Sequence, residues 1–144
     1  MFISIDGGIL PKASTKYSAG LDVYANEDIE LWSGFTEIIK LGIRLDLDFI
    51  KQNELCNNYY LALEVRSSMR VKELSSLGTG IIDMDYPDEI KIILHNHSKH
   101  GRVKICKGDK IGQLILMQHN PHYTWKYRTT EEERISGFGS TGNA

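Results

Sequence analysis

Short apolar or alternating runs, each separated from the next by turn-forming residues, dominate the sequence. The runs are rich in Val, Ile, Tyr and Trp, which favour β-strands, and Gly, Asn and Asp stand between them. No segment keeps helical periodicity for three turns, although residues 67–74 fit one short helix. We therefore predict an all-β barrel or sandwich with at most one short helix, and a long surface loop over 46–58. The predicted strands cover residues 2–5, 21–25, 37–45, 59–65, 90–95, 103–105 and 111–119.

Composition and charge narrow the classes of function. The 144 residues are 41% apolar, enough for the core of one domain, and the net charge is -2, from 17 Lys and Arg against 19 Asp and Glu. This balance argues against nucleic acid or an anionic membrane as the main partner. The N-terminal residues lack the basic start of a secretion signal, no apolar run approaches ~20 residues, and there are only two cysteines. These features predict a soluble, intracellular protein with reduced thiols.

The segment 134–144 is rich in glycine and carries side chains suited to a nucleotide. Glycine permits tightly curved backbone whose successive N–H groups point at one anion. Arg134, Ser140 and Thr141 add phosphate donors, and Phe138 offers a stacking face for a base. No lysine follows the second glycine, Gly139, so the segment is not a Walker loop. We interpret it as a flexible clasp for phosphate and base; the alternative is a disordered tail.

A second candidate site is the run Gly80-Ile-Ile-Asp-Met-Asp-Tyr86. Its two isoleucines suit a strand edge, so the carboxylate of Asp83 would be held on a rigid element, as a catalytic group requires. An ionised carboxylate is a proton acceptor and can serve as general base toward an attacking water. Tyr86 would lie flat beneath a sugar. The alternative is a β-hairpin whose turn residues happen to be acidic.

Three further positions hold polar groups suited to a phosphate or a metal. Arg66, Ser67 and Ser68 follow a predicted strand and can wrap a phosphate, but the same tripeptide also occurs in ordinary surface turns. Asp22 stands within an apolar strand, where a carboxylate needs a partner, a cation or metal-bound water; a capping or turn role is the alternative. Gln113, which follows a turn, can donate from its amide, but taken alone it is structural.

The histidines suggest a metal site, which the spacing does not favour. His95 and His97 share one face of a predicted strand, and His100, His119 and His122 follow. However, no Cys or carboxylate joins them at a spacing typical of zinc. A carboxylate-bound Mg²⁺ shared with phosphates is the better metal hypothesis.

Taken together and in order, these segments resemble the five motifs of the homotrimeric deoxyuridine triphosphate nucleotidohydrolases, the dUTPases. The resemblance runs from about Ala19 to Gly142 and ends in Gly-Phe-Gly-Ser-Thr-Gly. It implies a jelly-roll-like β-barrel over 1–133, a C-terminal arm over 134–144, and a homotrimer whose three active sites are shared between subunits. It further implies Mg²⁺ as cofactor and hydrolysis of dUTP to dUMP and pyrophosphate, which keeps uracil out of DNA and supplies dUMP for dTMP synthesis.

The resemblance also implies a role for each motif residue of the barrel. Asp22 would hold Mg²⁺ through water, and Asp83 would be the general base for the water that attacks the α-phosphorus. Tyr86 would pack against deoxyribose and exclude a 2′-hydroxyl. The hairpin 77–86, which includes Gly80 and Ile82, would receive uracil through backbone amide groups. The substrate phosphates would contact Arg66, Ser67, Ser68 and Gln113.

The fifth motif would close the site. By the same resemblance, Phe138 would stack on uracil, with Gly139 beside it, while Arg134, Ser140 and Thr141 would close on the γ-phosphate. In the family the arginine stands five residues before the phenylalanine, whereas Arg134 stands four before Phe138. Either the shorter segment still lets Arg134 reach the phosphate, or that contact is lost.

Three other positions depart from the family pattern. Val65 replaces the proline that usually begins the second motif, a change we expect to affect only local rigidity. Pro87 and Asp88 follow Tyr86 where the family commonly has a glycine two residues on, which would tighten the turn. Gly112 replaces an alanine of the fourth motif, and we expect this change to be minor.

Two rival functions remain at this point. A dCTP deaminase has a similar fold but needs a glutamate seven residues after the aromatic at Tyr86, and position 93 is Ile. A non-enzymatic module that uses the nucleotide site as a switch would lose the base or the closing segment, and both are present. A regulatory protein partner in addition to the enzyme is a further expectation, for which residues 46–58 are the candidate contact.

Overall fold

Residues 1–76 and 80–120 are described by a computed structural model of the chain, and these residues form mainly β-strands. Two α-helices and a 3-10 turn interrupt the strands in this part of the chain. The strands are β1 Phe2–Ser4, β2 Leu21–Tyr24, β3 Ile29–Trp32, β4 Thr36–Lys40, β5 Ile43–Leu45, β6 Tyr59–Val65, β7 Leu74–Ser75, β8 Gly80–Asp83, β9 Lys91–Asn96, β10 Arg102–Ile105 and β11 Lys110–Gln118. The helices are α1 Leu47–Gln52 and α2 Ser67–Val71, and the 3-10 turn is Leu55–Asn57.

The strands form antiparallel sheets that enclose one apolar core. The largest sheet has the order β2-β11-β6-β8, and a second has the order β4-β9-β7. Two further pairs are β1 with β5 and β3 with β10. Because side chains alternate along a strand, Leu61, Leu63 and Val65 of β6 all point inward, where they join Leu114 of β11 and Leu94 of β9 in the core. Each such side chain contributes about 1.5–3 kcal/mol by leaving water.

The long strands were predicted closely, and the segment 46–58 was predicted wrongly. It was expected to be a loop, yet it contains α1 and the 3-10 turn, so the expectation of at most one short helix is also wrong. Asp46 caps α1 by accepting a hydrogen bond from the backbone N–H of Phe49 at 3.1 Å, and Ile50 is fully buried. A helix this short carries too few apolar positions to show a period. The helix expected within 67–74 is confirmed as α2.

The predicted strand over 37–45 is in fact two strands, β4 and β5, separated at Leu41 and Gly42. Gly42 has φ of +65°, and a Cβ there would lie 2.6 Å from the Cα of Gly8. The backbone therefore turns where only glycine fits, and the chain passes from one sheet to another. None of the helices among the described residues is long and apolar enough to cross a membrane.

Candidate active site

The outward face of the largest sheet carries predicted site residues of three motifs, the first, third and fourth. Directly paired residues of antiparallel strands share a face. In one row, Asp22 of β2 is paired with Gln113 of β11, and Gln113 is paired with Glu64 of β6. In another row on the same face, Tyr60 of β6 is paired with Asp83 of β8.

The two rows lie at opposite ends of that face. Neighbouring strands are about 4.8 Å apart and rise about 3.4 Å per residue. Asp22 and Asp83 are separated by three strand spacings and by four residues along the strands, which places their Cα atoms about 20 Å apart. One subunit therefore brings Asp22, Gln113 and the second motif together, and it does not bring Asp83 to them.

Asp22 lies in a polar cluster at its end of the sheet. A backbone bridge joins it to Lys12, since the Asp22 N–H donates to the Lys12 carbonyl at 2.8 Å, so Lys12 lies beside β2. The carboxylate is 9% exposed, and its Oδ2 accepts a hydrogen bond from the Ser14 hydroxyl. The same oxygen lies 3.1 Å from Nζ of Lys110 and 3.6 Å from Nη1 of Arg66.

The surroundings of Asp22 keep its carboxyl group ionised. Burial by itself raises the pKa of Asp22, but hydrogen bonds from Ser14 and Lys110 lower it, and the positive charges of Arg66 and Lys110 lower it further. The net effect is a pKa below the ordinary value of 3.8. The expectation that a carboxylate in an apolar strand needs a partner is thus met by two cations and a hydroxyl.

The second motif follows β6 and begins α2. Arg66 has extended backbone at the start of this helix, its N–H donates to the Ile111 carbonyl at 3.2 Å, and its own carbonyl accepts from the Met69 N–H at 3.0 Å. Its side chain is 31% exposed, and Ser67 and Ser68 are exposed beside it. The three residues therefore present a guanidinium and two hydroxyls to solvent next to Asp22.

Gly20 leaves room for the Gln113 side chain beside the first motif. A Cβ on Gly20 would lie 3.1 Å from Oε1 of Gln113 and 3.0 Å from Cγ1 of Ile115. The glycine before Leu21 therefore leaves the space that the Gln113 side chain occupies. Gln113 joins Asp22 and the second motif in one corner of the sheet.

The third motif occupies the far edge strand. Ile82 is buried, Asp83 is exposed at the end of β8, and the Tyr86 N–H donates to the Asp83 carbonyl at 3.1 Å, which closes a turn. Tyr86 is 9% exposed and packs in the core, with its hydroxyl 3.4 Å from the Glu89 carbonyl. Gly80 begins β8 opposite Leu63. The Asp83 carboxylate is thus carried by a strand end, as predicted; its role as base stays a prediction.

Several predicted site residues lie outside the described residues. These are residues 77–79 of the uracil hairpin and the fifth-motif residues Arg134, Phe138, Gly139, Ser140 and Thr141. The proposed boundary between 133 and 134 lies there as well. Their roles stay predictions.

Sequence reasoning missed Ser14 and Lys110. Lys110 stands within the fourth motif, three residues before Gln113, but nothing in its spacing indicated that it faces Asp22. Ser14 is brought to the site only by the bridge between Lys12 and Asp22, which local sequence does not reveal. The one usable signal was Asp22 itself, whose apolar setting indicated a partner, a cation or metal-bound water.

The described residues include no group of three or more His, Cys, Asp or Glu side chains able to hold a metal ion. The rings of His95 and His97 are 4.5 Å apart, and each makes a hydrogen bond to a hydroxyl, His95 with Thr36 and His97 with Ser75. Around Asp22, two cations already lie within 4 Å of the carboxylate. That donor set does not fit a carboxylate that would hold Mg²⁺ through water.

Comparison with known proteins gives the family. The family model for dUTPase matches residues 6–142. A deoxyuridine 5′-triphosphate nucleotidohydrolase of Fowlpox virus is 33% identical over 142 residues, which cover 95% of this chain and 92% of that protein. The chain belongs to the dUTPase family.

Solved dUTPase structures share the fold. The dUTPase from Streptococcus mutans has a TM-score of 0.68 at 24% identity, over 81% of this chain and 94% of that one. A mutant dUTPase from a phage of S. aureus, whose structure describes the coordination of a structural Mg(II) ion, has a TM-score of 0.68 at 19% identity, over 96% and 97% of the chains. The predicted family and the jelly-roll-like β fold are both confirmed.

Proposed function

We propose that this chain hydrolyses dUTP to dUMP and pyrophosphate in active sites that are assembled between the subunits of a homotrimer. The observation that carries the proposal is the separation of about 20 Å between Asp83 and the Asp22 corner within one subunit. A base and a phosphate-binding group must both reach the same phosphorus, so they come from different copies of the chain.

The surface between the two ends supports assembly. Ile81, Ala62 and Ile115 occupy the same outward face between the rows of Asp22 and Asp83, Met117 stands in the row of Asp83, and Ile81 is 59% exposed. An apolar strip that is rimmed by polar groups marks a protein contact, and a second copy of the chain covers it here. In a cyclic arrangement the Asp83 end of one subunit meets the Asp22 end of the next, which gives three shared sites.

The chemical step follows from these groups. Asp83 accepts a proton from a water whose oxygen attacks the α-phosphorus, the bond from that phosphorus to the bridging oxygen breaks, and pyrophosphate leaves. Arg66, Ser67, Ser68 and Gln113 hold the phosphates and stabilise the developing charge. In the cell this reaction keeps uracil out of DNA and supplies dUMP for dTMP synthesis.

In the proposed reaction, Mg²⁺ arrives bound to the substrate. The described residues include no group of three or more His, Cys, Asp or Glu side chains able to hold it, and the ion binds nucleoside triphosphates largely through phosphate oxygens and water. When bound, it neutralises phosphate charge.

The contacts to uracil, deoxyribose and the γ-phosphate in this proposal are those that the resemblance to the family motifs implies. The hairpin 77–86, with Gly80 and Ile82, receives uracil, and Tyr86 packs against deoxyribose. Phe138 stacks on the base with Gly139 beside it, and Arg134, Ser140 and Thr141 close on the γ-phosphate. Closure of this arm over the bound nucleotide would exclude bulk water while one attacking water stays.

The reaction is tested with separate nucleotides. Purified protein is incubated with Mg²⁺ and dUTP, dCTP, dTTP or UTP, and the products are separated by ion-exchange chromatography. We expect dUMP and pyrophosphate from dUTP alone. Conversion of dCTP to dUTP would instead identify a deaminase, and dUTP that binds but survives would favour the switch module.

The base assignment is tested with Asp83→Asn. Loss of a general base costs about 10²–10⁴-fold in turnover, while affinity for a non-hydrolysable imido analogue of dUTP should stay within about threefold. Asp88→Asn, an acidic hairpin position five residues on, is the matched control and should keep turnover. Equal losses in both variants, or lost binding in Asp83→Asn, would refute the assignment.

A further inference from the structure

The Asp22 carboxylate is held by its backbone pairing and by side-chain contacts to one oxygen. Its backbone is tied on one side to Lys12 and on the other to β11, and Ser14 donates to Oδ2. Nζ of Lys110 lies 3.1 Å from the same oxygen and 3.4 Å from the Ser14 hydroxyl. Ser14, Lys110 and Asp22 therefore form a closed triangle, and Arg66 is the fourth, outer member.

The contact between Asp22 and Arg66 is looser than a hydrogen bond. Nη1 of Arg66 lies 3.6 Å from Oδ2, beyond the 2.7–3.2 Å range of N–H···O bonds. The attraction of opposite charges orients the guanidinium, but its N–H groups are not consumed by the carboxylate. Because the side chain of Arg66 is 31% exposed, those groups face outward beside Ser67 and Ser68.

Lys110 explains why Arg66 is not drawn in further. An isolated carboxylate beside an arginine forms a bidentate pair with two parallel N–H···O bonds. Here Oδ2 already receives the Ser14 hydroxyl and the Lys110 ammonium. Lys110, 44% exposed, is thus a second cation that shares one anion with Arg66.

We infer that Ser14 and Lys110 are positioning residues, which hold Asp22 as a fixed anion that orients Arg66 toward the substrate phosphates. This rests on the proposed function, in which Arg66 binds the triphosphate. It also gives Asp22 a role other than holding Mg²⁺. Substrate affinity then depends on Lys110 without any contact between Lys110 and the nucleotide.

Loss of Lys110 has a defined consequence. In Lys110→Met, Arg66 becomes the sole cation beside Asp22 and moves into a direct pair with it, which occupies the N–H groups that phosphate needs. We expect affinity for the imido analogue of dUTP to fall about tenfold, the scale of one charge-assisted hydrogen bond. Lys110→Arg keeps a cation and should restore affinity, and Ser14→Ala should lower it about threefold.

The test is a double-mutant cycle measured by calorimetry on the assembled protein. The imido analogue is titrated into the wild type, Lys110→Met, Arg66→Met and the double variant, with Lys104→Met, an exposed lysine of β10, as matched control. Because Lys110 acts through Arg66, Lys110→Met should have no further effect on affinity in the Arg66→Met background. Melting temperatures of all variants separate lost binding from lost folding.

Two results would overturn this inference and leave the proposed function intact. One is unchanged affinity in Lys110→Met and Ser14→Ala; the other is a tenfold loss that persists in the Arg66→Met background, since Lys110 would then act on the nucleotide directly. A wild-type protein that fails to bind the analogue would overturn the proposed function itself, and the inference with it.

Discussion

At the scale of single residues, Asp22 shows what sequence can say about a buried charge. A carboxylate inside an apolar strand needs a compensating group, and that expectation is met by Lys110, Arg66 and Ser14. Which groups compensate depends on strand pairing and on the bridge to Lys12, so local sequence could not name them. The role of Asp22 in holding Mg²⁺ through water is a separate expectation from the resemblance and stays a prediction, which the two neighbouring cations do not favour.

The lowered pKa of Asp22 predicts how stability depends on pH. A carboxyl group whose pKa is lower in the folded state stabilises the fold above its unfolded value, 3.8, and this stabilisation is lost as the pH falls through the folded pKa. We expect Asp22→Asn to lower the free energy of unfolding by about 1–3 kcal/mol at pH 7. The difference from the wild type should shrink below about pH 4.

Urea unfolding at several pH values measures that difference. Asp48→Asn, in which an exposed carboxylate of α1 is removed, is the control and should show little change at any pH. A constant difference between wild type and Asp22→Asn from neutral to acidic pH would contradict the assigned ion pairs.

At the scale of secondary structure, the long alternating strands and several short elements were predicted, while two short elements were missed. Residues 59–65 and 111–119 were expected as strands, and β6 and β11 occupy nearly the same ranges. The strand β3 and the helix α1 were missed; each has one buried residue, Leu31 and Ile50, so neither run shows a clear period. The strands β1, β2 and β10, which are about as short as β3, were predicted from apolar runs between turn residues.

At Gly112, the packing of the strands corrects an expectation drawn from the sequence. The difference of this glycine from the alanine of the family pattern was expected to be minor. However, a Cβ on Gly112, where β11 pairs with β6, would lie 2.9 Å from the Glu64 carbonyl oxygen and 2.9 Å from Cδ1 of Ile92 in β9. The backbone of β6 and the Ile92 side chain therefore occupy the space that a methyl group would need.

We therefore expect Gly112→Ala to destabilise the protein by about 1–3 kcal/mol through overpacking. Chemical unfolding measures the loss. Combination with Ile92→Val, which removes the Cδ1 contact, should recover part of it, so the double variant should be more stable than the sum of the single effects predicts. A neutral or stabilising Gly112→Ala would show that the strands separate without cost.

At the scale of the whole molecule, the candidate site is a property of strand order. Sequence placed Asp83 at a strand end, and Asp22, Arg66 and Gln113 in separate motifs. That the latter three share a corner, and that Asp83 is about 20 Å away, follows from the order β2-β11-β6-β8. No local pattern encodes this order, because the neighbours β2 and β11 are far apart in the chain. The idea of shared sites came from the resemblance, and the separation supports it.

The most direct test of the account is complementation between two inactive variants. Asp83→Asn lacks the base, and Gln113→Leu together with Arg66→Met lacks the phosphate contacts. Co-expressed in equal amounts with different tags, they form mixed trimers, and doubly tagged protein is assayed with dUTP. If each site joins Asp83 of one subunit to the Arg66 corner of the next, a mixed trimer regains one intact site. The unfractionated mixture then recovers about a quarter of wild-type activity. No activity in verified mixed trimers would show that each site lies within one subunit and would contradict the account.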